Sequence, residues 1–326
     1  ITQTSFIEVL TLPASPSSND EAICFGDPVP DLIAQGTMIQ WYDDPDLTNL
    51  IHTGDTLTTG QTAPGVYTYY LTQTSGGCES LPTTVTLTIT ALPVVGFDPF
   101  DPICINDPAF TLTGGTPAGG IYSGSGVSND SIFDPSVAGI GAHEITYTYT
   151  GPQGCTNDTM QVLTVYDLPV VTLGAWDDVC IDAAPITLSG GMPEGGTYSG
   201  PGVSNGTFDP ALAGTGTHTI TYTYEDANGC SNFAEETLTV NNLPEPDLGP
   251  DTIVCAGQSI ILDATVPGAT AYEWYPGGQT SAQITVDTTG IGVGSEMFIV
   301  YVTDGNDCIG MDSITIEFED CTGIGE

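Results

Sequence analysis

The sequence predicts an all-β fold, a tandem array of four small β-sandwich modules with one disulfide each. Three observations support this prediction. Segments that alternate polar and apolar residues recur along the chain, and each is the pattern of a half-buried antiparallel strand. Turn residues such as Gly-Gly, Asn-Gly and Pro-Gly separate these segments, and no segment longer than a turn has helical spacing. A repeat of about 75 residues carries two cysteines in each copy.

The clearest repeat is a tandem duplication in the middle of the chain. The text LTGGTPAGGIYSGSGVSN from Leu112 recurs as LSGGMPEGGTYSGPGVSN from Leu188. A Leu-Pro dipeptide marks the same register four times, at Leu12-Pro13, Leu92-Pro93, Leu168-Pro169 and Leu243-Pro244. Module boundaries at these dipeptides give 1–12 as the last strand of a preceding module, followed by modules 13–92, 93–168, 169–243 and 244–326.

Cysteines keep the same register. A first cysteine follows each Leu-Pro at a nearly constant distance, and a second follows the first at another nearly constant distance. Equal spacing and one pair per module predict disulfides within modules: Cys24–Cys78, Cys104–Cys155, Cys180–Cys230 and Cys255–Cys308. Closing a loop of about 50 residues contributes about 3 to 4 kcal/mol, which is comparable to the stability of so small a module. Cys321 has no partner by count, so it is either free or paired between chains.

The strands fit a particular kind of sandwich. In ITYTY, at 145–149, Ile145, Tyr147 and Tyr149 share one face. Trp41 and Trp274 follow the first cysteines of modules one and four at similar distances, each in a strand-like stretch. The order of cysteine, tryptophan and Gly-x-Tyr-x-Tyr strand resembles the immunoglobulin pattern. The second cysteine departs from that pattern because it sits in the turn after the tyrosine strand, and the middle modules lack the tryptophan, so we expect immunoglobulin-like modules.

Charge excludes several functions. The chain has no Lys or Arg and 41 Asp and Glu residues, for a formal net charge of −41. Nucleic acid and anionic membranes are bound mainly through cationic side chains, so neither is expected as a partner. Lysine-dependent catalysis is excluded for the same reason. Repulsion among carboxylates predicts raised carboxyl pKa values and a fold that becomes more stable as pH falls from 7.

Few residues suggest catalysis, and no catalytic residue is predicted. His143 and His218 occupy equivalent positions in successive modules, which favours a structural role, and His52 stands alone. The only cofactor considered is Ca²⁺. Acidic residues recur between each internal Leu-Pro and the next cysteine, and carboxylates at a module boundary could bind this ion. These candidate ligands are Asp98, Asp101, Asp177, Asp178, Asp247 and Asp251. The simpler interpretation is that they are solvated turn residues.

Longer motifs link the repeats to a family. The texts GGTYSGPGVSNGTFDP and AGTGTHTITYTYEDANGC in module three, and CFGDPVPDLIAQG in module one, resemble immunoglobulin-like modules of large Bacteroidota surface proteins. DTIVCAGQSIILDA and the final EDCTGIGE resemble the last module before a sorting domain that is removed on export. The resemblance extends over the whole chain. It implies export by the type IX secretion system and a position at the extracellular cell surface.

The resemblance also implies sites of modification and a function. Asp-Ser/Thr-apolar triplets resemble the O-glycosylation signal of this bacterial group, with acceptors at Thr56, Ser131, Thr159, Thr252 and Ser313. The expected function is a non-enzymatic segment of a secreted filament or adhesin, for gliding or for attachment to prey or cells, shaped as a stiff acidic rod. Expected partners are other copies in an oligomer or filament, other cells, or surface glycans. The alternatives are a glycan- or protein-binding module and the stalk of a secreted hydrolase.

Overall fold

The computed structural model describes residues 11–289 and 291–321. These residues form 31 β-strands and two single-turn helices, so the predicted all-β fold of tandem immunoglobulin-like sandwiches is confirmed. The predicted strand within 1–12 and the predicted sorting junction after Cys321 lie almost wholly outside the described residues. The chain divides into two compact units. The first unit ends at Tyr166 and the second begins at Asp167, and each contains two modules. None of the helices in the described ranges is long and apolar enough to span a membrane.

Module one consists of two sheets. Strands β2-β9-β7-β4-β5 form the larger sheet, with β8 paired to β7, and β1-β3-β6 form the smaller one. The strands are β1 (Ser17–Ser18), β2 (Glu21–Cys24), β3 (Leu32–Gln35), β4 (Ile39–Tyr42), β5 (Leu50–Thr53), β6 (Thr56–Leu57), β7 (Gly65–Ser75), β8 (Cys78–Glu79) and β9 (Thr83–Thr90).

Modules two and three repeat one topology, as their duplicated sequences predict. Module two has sheets β11-β18-β17-β14, β12-β16-β15 and β10-β13. Its elements are β10 (Gly96–Phe97), β11 (Ile103–Cys104), β12 (Phe110–Thr111), β13 (Gly115–Thr116), β14 (Ile121–Ser123), β15 (Val127–Ser128), β16 (Ile132–Phe133), α1 (Pro135–Ala138), β17 (Gly141–Thr150) and β18 (Thr156–Tyr166).

Module three has sheets β19-β25-β24-β21 and β20-β23-β22. Its elements are β19 (Val179–Cys180), β20 (Ile186–Thr187), β21 (Thr197–Ser199), β22 (Val203–Ser204), β23 (Thr207–Phe208), α2 (Pro210–Ala213), β24 (Gly216–Glu225) and β25 (Ser231–Asn241). Module four has sheets β26-β31-β30-β28 and β27-β29. Its strands are β26 (Thr252–Cys255), β27 (Ser259–Asp263), β28 (Ala269–Tyr275), β29 (Gln283–Asp287), β30 (Gly294–Asp304) and β31 (Ile309–Glu319).

Large aromatic side chains lie buried in the cores of the modules. Trp41 and Trp274 are fully buried, and each donates its indole N–H to a backbone carbonyl, of Gly54 at 2.8 Å and of Ser281 at 2.9 Å. These bonds satisfy the one polar atom of each ring inside an apolar core. The tryptophans therefore have the structural role that the immunoglobulin-like pattern predicts.

Tyrosines take this place in the two middle modules. The hydroxyl of Tyr222 donates to the Pro193 carbonyl at 2.6 Å and accepts from the Gly196 N–H at 2.7 Å. A Cβ on Gly196 would lie 2.5 Å from this ring, and one on Gly191 2.6 Å from it. The glycine pairs of the duplicated segment are therefore needed to admit the buried tyrosine. Module two has the same arrangement around Tyr147.

The repeated histidines have a structural role, as the sequence predicts. Nε2 of His143 lies 2.8 Å from the carbonyl oxygen of Gly139, the residue that ends α1. His218 makes the same 2.8 Å contact with Gly214 at the end of α2. Each imidazole thus holds the end of a single-turn helix against the strand on which the histidine lies.

Candidate functional site at the module junctions

The first cysteine of each module lies where the chain leaves that module. The opening strand that ends in this cysteine runs parallel to the last strand, unlike the antiparallel pairs around it. The final register pairs are Cys24 with Thr90, and Cys104 with Tyr166. The same pairing joins Cys180 to Asn241 and Cys255 to Glu319. Parallel strands end at the same edge of a sheet, so the first cysteine lies beside the exit.

The second cysteine lies at the opposite end, where the chain enters the module. In module two, Cys155 directly precedes β18, and Cys104 pairs with the final residue of that strand. An 11-residue strand spans about 35 Å at 3.3 Å per residue. Bonded cysteines have Cα atoms only about 5.5 to 6 Å apart. The two cysteines of one module are therefore too far apart to form the predicted disulfide.

The disulfides instead join consecutive modules. Cys24 of module one is bonded to Cys155 of module two, with Cα atoms 5.5 Å apart. Cys180 of module three is bonded to Cys308 of module four, with Cα atoms 5.6 Å apart. The exit of one module faces the entrance of the next, which brings the two cysteines together. The predicted pairs Cys24–Cys78 and Cys180–Cys230 are wrong for this reason.

The remaining cysteines correct the other pairings. Cys104 and Cys230 are also disulfide-bonded, so Cys104–Cys155 is wrong because Cys155 is occupied. Cys255 is bonded to Cys321, with Cα atoms 5.4 Å apart, which overturns both the Cys255–Cys308 pair and the expectation that Cys321 is free or pairs between chains. Cys321 follows β31 by two residues and so reaches the exit-end cysteine of its own module.

In modules two to four, the Leu-Pro dipeptide that opens the module is held beside the second cysteine of the same module. Asn157, two residues after Cys155, donates its side-chain N–H to the carbonyl of Pro93 at 2.9 Å. Asn232, two residues after its cysteine, makes the equivalent 3.0 Å bond to Pro169. In module four the same position is Gly310, where a Cβ would lie 1.7 Å from the carbonyl oxygen of Pro244. These contacts were not predicted from the sequence. The signal for them was the residue two positions after the second cysteine, which is Asn in modules two and three and Gly in module four.

Aspartates shape two of the turns that carry the second cysteine. Oδ1 of Asp226 accepts the N–H groups of Asn228 and Cys230, each at 2.9 Å. Oδ1 of Asp304 accepts from Asn306 and Cys308 at the same distances. Each carboxylate therefore fixes the backbone of the cysteine. The hydrogen bond from the Cys230 N–H is the main reason why the pKa of Asp226 lies below its ordinary value.

This turn predicts a pH dependence. Because the folded pKa of Asp226 lies below the ordinary 3.8, its stabilising contribution is present above pH 3.8 and lost as pH falls through the folded pKa. We expect Asp226→Asn to lower the melting temperature at pH 7, and the difference from the unmodified chain to shrink below pH 3.8. Thermal unfolding from pH 2.5 to 7 measures this. Glu194→Gln removes the same charge from an exposed side chain that makes no hydrogen bond in the described ranges, and its equal destabilisation would contradict the prediction.

The expectation of raised carboxyl pKa values is wrong wherever a shift is resolved. Five aspartates have lowered pKa values, and hydrogen bonds to the carboxylate are the largest cause in each; they are Asp44, Asp134, Asp226, Asp263 and Asp287. Nearby N–H and O–H donors act over about 3 Å, whereas like charges on the exposed surface are screened by solvent. At these sites the local bonds outweigh repulsion.

The predicted calcium ligands serve other contacts. Oδ1 of Asp178 accepts the N–H of Thr239 at 3.1 Å, and Oδ1 of Asp251 accepts that of Thr315 at 2.8 Å. These bonds tie the opening segment to the last strand of the module. Asp247 accepts from the N–H of Gly249 at 2.9 Å. Across 11–289 and 291–321, no three His, Cys, Asp or Glu side chains converge to hold a metal. Asp98, Asp101 and Asp177 remain predictions only.

The predicted glycosylation acceptors differ in accessibility. Thr56 and Ser313 are exposed, and Ser131, Thr159 and Thr252 are half-buried. All five lie on strands or the turns between them. Glycosylation at these positions stays a prediction.

Comparison with known proteins adds one family match. Residues 13–93, about a quarter of the chain, match a family model described as an Ig-like domain, CHU_C associated. This match supports the immunoglobulin-like description of module one. No curated protein sequence matches the chain.

Solved structures with tandem domains are similar to the chain over most of its length. One is a Ca²⁺-stabilized adhesin that helps an Antarctic bacterium bind ice. It is 16% identical, the match covers 95% of this chain and 100% of that one, and the TM-score is 0.37. Immunoglobulin domains 1–5 of Sidekick-1 are 12% identical, covering 94% and 80%, at a TM-score of 0.22. The insect immune protein hemolin is 11% identical, covering 94% and 100%, at 0.23. Similarity this low carries no information on what the chain binds.

Proposed function

We propose that this chain is a non-enzymatic, tension-bearing segment of a large secreted surface adhesin or filament, of the kind used for gliding or for attachment to prey or cells. One observation carries the proposal. The bonds Cys24–Cys155 and Cys180–Cys308 join neighbouring modules beside the Leu-Pro joint. Tension that reaches such a joint passes through a covalent bridge, so it does not depend on the small apolar core of either module.

The compartment follows from the same chemistry. Disulfides persist in oxidising surroundings, and eight of the nine cysteines are bonded. This supports an extracellular location. The motif resemblance and the family match over residues 13–93 support export by the type IX system of Bacteroidota. We also propose that the module boundaries lie at the Leu-Pro dipeptides, because the family match over residues 13–93 begins and ends at the prolines of two of them.

Assembly and partners are further parts of the proposal. A net charge of −41 repels parallel copies, and the Debye length at 0.5 M salt is about 4 Å. Saline surroundings would screen this repulsion and permit contact between copies in an oligomer or filament. Other cells and surface glycans are the proposed targets of the assembled protein.

Attachment under flow tests the tension-bearing role. In cells that produce the protein, Cys24→Ala with Cys155→Ala removes a bond between modules, whereas Cys255→Ser with Cys321→Ser removes one within a module. We expect both strains to attach equally in still medium and the first to detach at a lower shear stress. Antibody against the segment should label intact cells of both strains, which checks location and amount.

Two outcomes would reject the proposal. Equal detachment of the two variant strains and the unmodified strain would show that the bond between modules bears no load in the cell. Unchanged attachment of a strain that lacks the whole segment, together with loss of a secreted hydrolytic activity, would favour the role of an enzyme stalk.

A further inference from the structure

Cys78 is the free cysteine of the described residues. It is the second cysteine of module one and thus the equivalent of Cys155, Cys230 and Cys308, all of which are disulfide-bonded. In the two junctions within the compact units, the partner is the first cysteine of the module before it. The position itself is therefore one that receives a cysteine from another module.

The backbone before Cys78 shares one feature with the backbone before the bonded positions. The residue before each second cysteine has a positive φ: 84° at Gly77, 85° at Gly154, 83° at Gly229 and 61° at Asp307. The last strand begins at the residue after each bonded second cysteine, and it begins five residues after Cys78, which lies on β8. Cys78 therefore lies at the entrance end of module one, like the bonded cysteines, but it is carried there by the β7–β8 hairpin, which extends past the start of β9.

Burial distinguishes Cys78 from its equivalents. The exposed fraction is 3% for Cys155 and 0% for Cys230 and Cys308, whereas Cys78 is half-exposed. In the Cys24–Cys155 and Cys180–Cys308 bridges the second cysteine is buried while the first is half-buried. Cys78 is a second cysteine that is still half-exposed, so it has room for the cover that a neighbouring module provides. Exposure also leaves the thiol accessible to a disulfide-bearing reagent.

We propose that Cys78 is an attachment site for the first cysteine of another module of this type. The bond forms by two exchanges. The Cys78 thiolate attacks one sulfur of a disulfide oxidant such as oxidised glutathione, and one glutathione thiolate leaves. The thiolate of the incoming cysteine then attacks the Cys78 sulfur and expels the second glutathione thiolate. Two protein thiols are oxidised and one glutathione disulfide is reduced.

The chain itself supplies the probe for a test. Cys321→Ser frees Cys255, which is the first cysteine of module four and has the same place beside its last strand as Cys24 and Cys180. In a glutathione redox buffer, the Cys321→Ser chain should form a head-to-tail ladder on non-reducing gels, with a Cys78–Cys255 peptide found by mass spectrometry. Adding Cys78→Ser, or replacing Cys255 with Ser, leaves one free thiol per chain and should stop the ladder at the dimer.

A fusion removes the need for two chains to meet. Residues 1–320 joined to residues 12–326 of a second copy place a Leu-Pro joint just after β31, as one follows β9. We expect Cys255 of the first copy to bond to Cys78 of the second without forming dimers. If Cys78 of the second copy is found free or bound to glutathione while the other disulfides are intact, the proposal is wrong.

Protein from its native source identifies which module provides the cysteine. A Cys78-linked peptide in a species with the mass of one chain on a non-reducing gel would place the partner in the same polypeptide. The same peptide in species of two or more chains would place it in a second copy. Free Cys78 in most molecules would overturn the proposal. Because this test uses only the bond, its result does not depend on the proposed role in adhesion.

Discussion

An oxidised chain pulled by its two ends is expected to extend several hundred ångströms less than a reduced one. The Cys24–Cys155 bridge bypasses 131 residues, and Cys180–Cys308 bypasses 128. At about 3.5 Å per extended residue, these loops hold about 460 Å and about 450 Å of chain. Force travels through the bridges and leaves both loops untensioned until the bonds are reduced.

Single-molecule force spectroscopy with and without a thiol reductant measures this difference. The variant with Cys255→Ser and Cys321→Ser is the matched control. Its lost bond joins Cys255, inside the second bypassed loop, to Cys321 beyond it, whereas the tensioned chain runs directly from Cys308 to the C-terminal end with or without that bond. It should extend no further than the unmodified chain under oxidising conditions. Unfolding of the oxidised chain in successive steps, each releasing the full length of one module, would contradict the bridging of modules.

Gly310→Ala is expected to destabilise module four and loosen its junction. The new Cβ would lie 1.7 Å from the carbonyl oxygen of Pro244 and 2.8 Å from its carbonyl carbon. Backbone must move by more than 1 Å to relieve this contact, and overpacking of that kind costs about 3 kcal/mol. Leu248 nearby donates its N–H to Asp312 at 2.7 Å, so the displacement of Pro244 strains a second contact between the joint and β31.

Urea unfolding and limited proteolysis measure this effect. Gly305→Ala is the matched control, because a Cβ there meets no atom within 4 Å. It should leave stability unchanged or raise it by up to about 1 kcal/mol through the unfolded state. Faster cleavage near Leu243-Pro244 in Gly310→Ala alone would locate the change at the joint. Equal stabilities of the two variants would show that Pro244 does not pack against Gly310.

The fold could be predicted from the sequence because its signals are local. Alternation in ITYTY and TVTLTIT fixes the strands β17 and β9, and the glycine pairs fix the turns. Tyr147 and Tyr222 replace the tryptophan of the outer modules, and the repeated glycines that admit their rings were visible as the GG pairs of the duplication. Why those positions must be glycine could be seen only from the packing of the tyrosine rings against them.

The cysteine pairing could not be predicted from spacing, because spacing does not say at which end of a sandwich a cysteine lies. The deciding fact is that the opening strand runs parallel to the last one, which takes Cys24 to the exit beside Thr90. A signal for this was present: the second cysteine falls in a turn instead of within a strand. In an immunoglobulin both cysteines lie within strands that face each other across the core, whereas here the first cysteine is the last residue of its strand and the second, in modules two to four, directly precedes the last strand.

The bridges between modules also set an order for folding and oxidation. Cys78 and Cys104 both precede Cys155, the partner of Cys24, along the chain. The entropic free-energy cost of closing the native loop of 131 residues is about 0.8 kcal/mol higher than that of closing the shorter loop between Cys24 and Cys78. In an unstructured chain the nearer cysteine would therefore be favoured. A Cys24–Cys78 bond formed early has to be broken by thiol–disulfide exchange before Cys24 can bond to Cys155. The native bond is therefore favoured only once two neighbouring modules have folded and their strands separate Cys24 from Cys78.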